Sequence, residues 1–306
     1  MSRCSNPIYA LDLGLKENGK RNLKILPRRV DLSSWKQLSV RYGEANIIPL
    51  PCGKCLNCKI NHANEWAVRC VLESKLHEEN YFITLTFDDA HLPENKQEAR
   101  DLITRFFKRL RNECGSFRYF GCCEKGKQGS KRFHYHIIFF GLHIADLRSN
   151  NFHQLKSETF AKVWPLGLYD IGEMTYASAN YVAQYAVKKV FQESDDEFIF
   201  MSNRPGIGAA WLDQNKEKCL QYDKVFGSFG SMKFAKMPRY FDKILEVVDP
   251  AAFEELKDRR GESSSNMENH ELNLHSISEV EKLLEYKQEI VLAEFINRKR
   301  GKRLDL

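Results

Sequence analysis

The 306-residue sequence contains no long hydrophobic run. No stretch approaches the roughly 18 consecutive apolar residues of a membrane-spanning helix, and residues 1–13 lack the basic-then-apolar order of a secretory signal. A solenoid-type internal repeat is also missing. We therefore expect a cytoplasmic protein without a membrane partner, and the hydrophobic content of 42% permits a substantial buried core.

The nine cysteines, an odd number without an export signal, argue against a disulfide framework. Cys52, Cys55 and Cys58 have C-x2-C-x2-C spacing, which is one ligand short of a closed tetrahedral zinc site. His62 or Cys70 is available as the fourth ligand. Three close cysteines can also be plain buried thiols, so the pattern leaves structural zinc and buried thiols both open.

Positive charge is concentrated in one window of the chain. The net charge is +6, but residues 104–132 hold nine Lys or Arg against two Glu. A concentrated basic field is the electrostatic footprint of a protein that binds phosphate backbones, although a solvated basic face gives the same pattern. The candidate DNA contacts in this window are Arg105, Lys108, Arg109 and Arg132.

Strand and helix patterns alternate through the middle of the chain. The patterns predict strands at 81–87, 117–123, 133–140 and 168–171, and helices at 63–77, 98–112, 152–163 and 178–191. From residue 81 onward the order is strand, helix, strand, strand, helix, strand, helix. This order favours an α+β fold with an antiparallel sheet covered by helices on one face.

Composition divides the chain into four predicted segments. These are an irregular N-terminal extension at 1–50, a core at 51–195 that begins with the cysteine cluster, a loop-rich extension at 196–260, and a C-terminal segment at 261–306. The C-terminal segment contains the polar linker GESSSN, a charged helix predicted at 277–298 and a basic tail.

His134 and His136 lie inside the strand predicted at 133–140. Because side chains alternate along a strand, both imidazoles project from the same face. A histidine pair at i and i+2 can chelate one divalent cation. Two strand histidines that are satisfied by hydrogen bonds explain the same spacing, so the pair needs support from elsewhere in the sequence.

That support comes from the helix predicted at 178–191. Tyr181, Tyr185 and Lys188 stand at i, i+4 and i+7, which places two phenols and an ammonium on one helical face. A phenolate is a competent nucleophile, but its ordinary pKa near 10 means that it needs a nearby positive charge or metal. An amphipathic helix with tyrosines at its core edge is the alternative for an isolated pair; the combination with two histidines favours catalysis.

Several segments together resemble a known family. FHYHIIFFG at 133–141 and YVAQYAVKK at 181–189 resemble the HUH motif and the two-tyrosine Y-x3-Y-x2-K motif of rolling-circle replication initiators. YFITLTF and its acidic turn resemble the first motif of that family. PCGKCLNC, FKRLR and RPGIG (204–208) resemble the microvirus subgroup called gokushoviruses, so the resemblance covers residues 51–208.

The resemblance implies an HUH endonuclease with an RRM-like sheet that nicks single-stranded origin DNA with Mg2+ or Mn2+. Tyr181 or Tyr185 would join the 5′ phosphate, and the freed 3′ hydroxyl would prime synthesis by a host DNA polymerase, with a host helicase. The second tyrosine would act at termination and close the displaced strand into a circle. The place of action would be the cytoplasm of the bacterial host.

A third metal ligand usually accompanies the histidines in this family. Members of the subgroup often carry Gly-Glu-Tyr-Gly before the histidines, and this chain has Cys-Glu-Lys-Gly at 123–126, so Glu124 is the candidate. A carboxylate suits a hard cation. Glu124 is equally suited to pair with Lys125 or Lys131 on a solvated turn. Phe133 also replaces the proline that often precedes the first histidine.

Two other functions remain as alternatives. The first is a conjugative relaxase or an HUH transposase, against which the paired tyrosines and the phage-like flanking motifs count. The second is a zinc-containing DNA-binding protein without catalysis, which the cysteine cluster and the basic window favour. This second function gives no role to the histidine pair or to Tyr181, Tyr185 and Lys188.

Overall fold

The chain forms two structural units. A computed structural model describes residues 4–15, 21–26, 37, 40–41, 47–126, 132–149, 155–190 and 197–272. One unit consists of Met1–Asn61 with Met267–Leu306, and the other of His62–Asn266. Each unit is therefore described by itself.

The N-terminal segment contains a three-stranded antiparallel sheet, which corrects the prediction of an irregular extension. Its strands are β1 (Ile8–Leu15), β2 (Arg21–Ile25) and β3 (Ile47–Leu50), in the order β2-β1-β3. The register pairs Ala10 with Ile25 and Ile8 with Leu50. Only β3 coincides with an apolar run that stands out in the sequence; β1 and β2 are held mainly by pairing with distant strands.

A seven-stranded sheet organises the larger unit, and every pairing within it is antiparallel. The strands are β4 (Asn80–Thr86), β5 (Arg118–Lys125), β6 (Phe133–Phe140), β7 (Arg148–Ser149), β8 (Leu155–Lys156), β9 (Tyr169–Glu173) and β10 (Phe198–Met201), in the order β10-β5-β6-β4-β9-β8-β7. The predictions of an antiparallel sheet and an α+β fold are confirmed, and β6 has the predicted bounds.

Seven helices are described. They are α1 (Leu56–Ser74), α2 (Lys96–Cys114), α3 (Glu158–Val163), α4 (Tyr176–Val190), α5 (Ala209–Tyr222), α6 (Arg239–Val248) and α7 (Pro250–Leu272). In this part of the chain, no helix combines the length and apolar character that a membrane crossing requires. The order of strands and helices from β4 to α4 agrees with the predicted order, with β7 and β8 as short additions.

Helices cover both faces of the central sheet, which corrects the prediction of one covered face. On one face, Tyr135 and Ile137 of β6 pack against α2 and α3. On the other, Ile138 and Phe140 pack against α4 and the later turns of α1. The physical reason is the continuous apolar run at the end of β6, because a strand that is apolar on both sides needs cover on both.

The third predicted helix is shorter than expected. The pattern predicts a helix at 152–163, but α3 begins only at Glu158 and is preceded by the short strand β8. Ser157 starts the helix because its hydroxyl accepts a hydrogen bond from the Phe160 N–H (2.9 Å). The cap therefore sets the boundary more strongly than the apolar spacing.

The segment predicted as a loop-rich extension is folded. Its first strand, β10, extends the central sheet beside β5, and β11 (Lys224–Phe229) pairs with β12 (Met232–Lys236) in a hairpin. Helices α5, α6 and α7 contribute to a separate core cluster with the hairpin and α1. GESSSN lies inside α7 and is therefore not a linker, while the helix predicted at 277–298 lies outside the described residues.

A buried carboxylate anchors the RPGIG loop at 204–208. Glu73 of α1 is 1% exposed and forms an ion pair with Arg118 of β5. Its second oxygen accepts a hydrogen bond from the Gly208 N–H (2.6 Å), and Arg118 donates to the Pro205 carbonyl (2.6 Å). The loop that resembles the phage subgroup is thus fixed by charges from a helix and a strand.

Loss of Glu73 should strongly destabilise the protein. Glu73→Ala leaves the Arg118 guanidinium and the Gly208 N–H without a buried partner, so we expect the free energy of unfolding to fall by about 3–5 kcal/mol. Urea unfolding measures this change. The matched control is Glu79→Ala, whose partly exposed pair with His143 should be worth less than about 1 kcal/mol. Equal losses in the two variants would contradict the anchoring role.

Candidate active site

The register of the central sheet gathers polar side chains around the histidine pair. His134 on β6 pairs with Glu124 on β5 and Thr86 on β4, and His136 pairs with Thr84 on β4. Directly opposite residues project from the same face of a sheet. The antiparallel pairing therefore brings two imidazoles, a carboxylate and two hydroxyls to one face at one end of three central strands.

His136 is held from two sides. Its Nε2 lies 3.1 Å from Glu124 Oε1, and its Nδ1 lies 3.1 Å from Thr84 Oγ1. The ring stacks on Phe82 with centroids 6.1 Å apart, and His136 is only 8% exposed. Hydrogen bonds at both ring nitrogens fix the orientation of the imidazole.

His134 is less satisfied than its neighbour. Its Nδ1 is buried and has no hydrogen-bond partner among the described residues. Burial lowers the pKa of His134 below its ordinary value, and the nearby Glu124 opposes this shift. A neutral imidazole with an orphaned nitrogen has the chemistry of a metal ligand. The donor set of Glu124, His134 and His136 therefore fits a divalent cation.

Helix α4 brings Tyr181 to this face. The helix is capped at its start by Thr175, whose Oγ1 accepts a hydrogen bond from the Ser178 N–H (3.1 Å). Two turns later, the Tyr181 ring meets His136 edge-on with centroids 5.1 Å apart and planes at 89°. Tyr181 also contacts Phe82 edge-on at 6.2 Å. The tyrosine and the histidine that the sequence singled out are thus neighbours.

The other two predicted catalytic residues lie later in the same helix. Because α4 continues without a break to Val190, positions 185 and 188 follow Tyr181 along one helical face. The side chains of Tyr185 and Lys188 lie outside the described residues. Gln184 donates to Asn180 Oδ1 (3.2 Å), and Asn180 donates to Asn64 of α1 (2.9 Å). These bonds tie the middle of α4 to its neighbouring helix.

Most of the predicted DNA contacts lie away from the histidines. Arg105, Lys108 and Arg109 are exposed on α2, the helix that packs against the opposite face of the sheet. Arg109 also donates to the Val163 carbonyl (3.2 Å). Arg132 differs because it directly precedes β6; it forms an ion pair with Asp89 and donates to the Phe87 carbonyl (3.3 Å).

Four cysteines meet in the N-terminal unit. They are Cys4, Cys52, Cys55 and Cys58, whose sulfur atoms all lie within 4.8 Å of one another. Within the described ranges, this is the one group of three or more His, Cys, Asp or Glu residues that are this close. The group can hold a metal ion, and its tetrahedral ligand count suits zinc.

The fourth cysteine corrects the prediction of His62 or Cys70 as the last ligand. Cys4 is distant in sequence, but the pairing of Ile8 with Leu50 runs the chain start back toward the cysteine cluster. Cys70 is fully buried among apolar side chains, which raises the pKa of its thiol. Burial and the charges of two arginines lower the pKa of His62. Strand pairing is the signal that sequence spacing could not supply.

Sequence reasoning also missed two residues of the histidine face. Thr84 and Phe82 both lie in the predicted strand YFITLTF, where they read as ordinary β-formers. Their contacts with His136 depend on the register between β4 and β6. Alternation within β4 places them on one face, but the partner strand was needed to show which side chain they support.

Comparison with known proteins adds a family to this geometry. Residues 80–190 match a family model for replication-associated proteins of the ORF2 type. This matched range begins at β4 and ends at α4, so it contains Glu124, both histidines and the tyrosine helix. No solved structure gives a match.

Individual relatives come from three phages. The chain is 34% identical over 216 residues to "Replication-associated protein ORF2" of Spiroplasma virus 4, a match that covers 64% of this chain and 68% of the relative. It is 30% identical over 210 residues to "Replication-associated protein VP4" of Bdellovibrio phage phiMH2K, covering 62% of this chain and 65% of that protein. "Replication-associated protein ORF4" of Chlamydia phage 1 is 32% identical over 162 residues, covering 46% and 38%.

Proposed function

The chain belongs to the family of phage replication-associated proteins, and from this premise we propose that it initiates rolling-circle replication by nicking origin DNA through a tyrosine. The observation that carries the proposal is the contact between Tyr181 and His136, whose imidazole is bonded to Glu124. A nucleophile beside a metal-ligand set is the arrangement that such a reaction requires. The proposed class is a site-specific DNA endonuclease that also rejoins strands.

Glu124, His134 and His136 are the proposed metal ligands. The orphaned nitrogen of His134 and the carboxylate beside His136 support this assignment. Oxygen and imidazole donors suit Mg2+ or Mn2+. When bound, such a cation polarises a phosphate oxygen and stabilises the charge of the displacement. Thr84 and Phe82 act as positioning residues because they hold the His136 ring.

The tyrosine chemistry is a phosphoryl transfer. The phenolic proton of Tyr181 or Tyr185 is lost, the phenolic oxygen bonds to phosphorus, and the bond from phosphorus to the 3′ oxygen breaks. The departing 3′ oxygen takes up a proton, which leaves a 3′ hydroxyl and a 5′-phosphotyrosine. Lys188 lowers the free energy of the phenolate through its positive charge. The reverse attack by a 3′ hydroxyl rejoins the strand.

The substrate and partners follow from the family. Single-stranded DNA at the origin crosses the histidine face, and Arg132, next to β6, contacts its backbone there. Arg105, Lys108 and Arg109 of α2 provide a second, sequence-independent contact surface for phosphates. A host DNA polymerase extends the 3′ hydroxyl and a host helicase opens the duplex. The reaction takes place in the cytoplasm of the bacterial host.

A covalent-adduct assay tests this function. Purified protein is incubated with Mn2+ and labelled single-stranded oligonucleotides that tile the non-coding regions of its own phage genome. A denaturing protein gel should show a labelled band at the protein's mass, and a chelator should abolish it because the displacement needs the cation. DNA binding without any adduct across the tiled set would instead favour the binding-only function.

A further inference from the structure

The four cysteines form a cluster whose dimensions match a filled metal site. Cys4 Sγ lies 3.7 Å from Cys55 Sγ, and Cys52 Sγ lies 4.0 Å from Cys58 Sγ. A tetrahedron with Zn–S bonds of about 2.3 Å has edges of about 3.8 Å. A disulfide requires sulfur atoms about 2.05 Å apart. The spacing therefore corresponds to four thiolates around one ion and not to two cystines.

Backbone N–H groups point at the sulfur atoms. Cys4 Sγ accepts from the Cys52 N–H (3.3 Å), and Cys52 Sγ accepts from the N–H groups of Lys54 and Cys55 (both 3.3 Å). Cys55 Sγ accepts from the Cys58 N–H (3.5 Å). Hydrogen bonds to a thiolate favour its charged form, which is the form that binds metal. The chain thus provides partners for the negative charge around the site.

The local backbone explains how one short segment supplies three ligands. Gly53 has φ of +70°, a left-handed conformation that favours glycine. The turn at Gly53 reverses the chain between Cys52 and Cys55, and Cys58 follows in the first turn of α1. Cys4 approaches from the segment before β1. The ligands therefore come from both ends of the N-terminal sheet.

We propose that Cys4, Cys52, Cys55 and Cys58 bind one structural Zn2+, which fastens the segment before β1 to the start of α1. Four protein ligands leave no open coordination position, so the ion is structural and takes no part in DNA cleavage. Because the unfolded chain lacks a preformed site, metal binding and folding of the N-terminal unit are coupled. This site is independent of the proposed nicking activity.

Metal analysis of the full chain tests the site. Protein purified from zinc-supplemented cells, under reducing conditions and without chelator, should contain one zinc per chain by mass spectrometry of the metal. X-ray absorption at the zinc edge should show four sulfur neighbours at about 2.3 Å. This measurement needs no variant, so it remains decisive even if cysteine variants fold poorly. Substoichiometric zinc, or nitrogen atoms among the ligands, would overturn the proposal.

Variants then test Cys4, the ligand that spacing did not reveal. Cys4→Ser and Cys52→Ser should each lose the zinc or keep it with a visibly changed sulfur shell. Protease should also cleave their N-terminal segment faster than that of the wild type. The matched control is Cys114→Ser, a partly buried free cysteine outside the cluster, which should keep one zinc. A full four-sulfur shell in Cys4→Ser would remove Cys4 from the site.

Discussion

Cleavage of origin DNA is expected to fall at least about 1000-fold when Tyr181 and Tyr185 are both replaced by phenylalanine, because the attacking oxygen is removed. DNA binding should change by less than about 1 kcal/mol, since each substitution deletes a single hydroxyl. Gel assays of cleavage and fluorescence anisotropy of binding measure the two effects separately. The combined result distinguishes a lost nucleophile from a lost binding surface.

The single variants and a control refine this prediction. Tyr222→Phe, at a tyrosine that is 53% exposed, should cleave like the wild type. If only Tyr181→Phe blocks the first nick, the residue beside His136 attacks first. If only Tyr185→Phe blocks it, the order is reversed. Retained cleavage in the double variant would eliminate both proposed nucleophiles.

The second large effect concerns the proposed metal ligands. His136→Ala should lower the cleavage rate by at least about 100-fold, because even residues that merely orient a ligand contribute about 10- to 100-fold. The same variant should bind Mn2+ more weakly, as measured by calorimetric titration of the protein without DNA. This second readout separates loss of the metal from other damage to the site.

Two further variants control for charge and for the number of ligands. His143→Ala removes an exposed histidine paired with Glu79 and should leave Mn2+ affinity and cleavage unchanged. Glu124→Gln keeps the size of the side chain but removes its charge, so it should also weaken Mn2+ binding. Normal Mn2+ affinity in Glu124→Gln would exclude Glu124 as the third ligand while leaving the histidine pair in place.

The sequence predicted the centre of the fold better than its edges. Strands such as β4 and β6 are dense in aromatic and β-branched residues, and α2 has a clear apolar face, so local pattern and tertiary packing agree there. β1 and β10 are defined by the strands beside them, and no local pattern predicts that pairing. The core around α5, α6 and the hairpin was missed for the same reason, because glycines suggested loops where packing decides.

The candidate site was predictable as a set of residues but not as an arrangement. Strand alternation and helical spacing correctly group His134 with His136 on one face. The proximity of Tyr181 to His136 depends on how α4 lies across the sheet, which no spacing within α4 can show. Cys4 is the clearest case: it lies 48 residues before Cys52, and only the pairing of β1 with β3 brings it close.

Mapping of the DNA-linked peptide tests the central claim most directly. Trypsin should release residues 163–188 as one peptide that contains Tyr169, Tyr176, Tyr181 and Tyr185, so the first two serve as internal controls. After reaction with origin DNA and nuclease digestion, fragmentation by mass spectrometry should locate a nucleotide joined through its 5′ phosphate to Tyr181 or Tyr185. A link to another residue, a link through a 3′ phosphate, or cleaved DNA without any linked peptide would contradict the proposed mechanism.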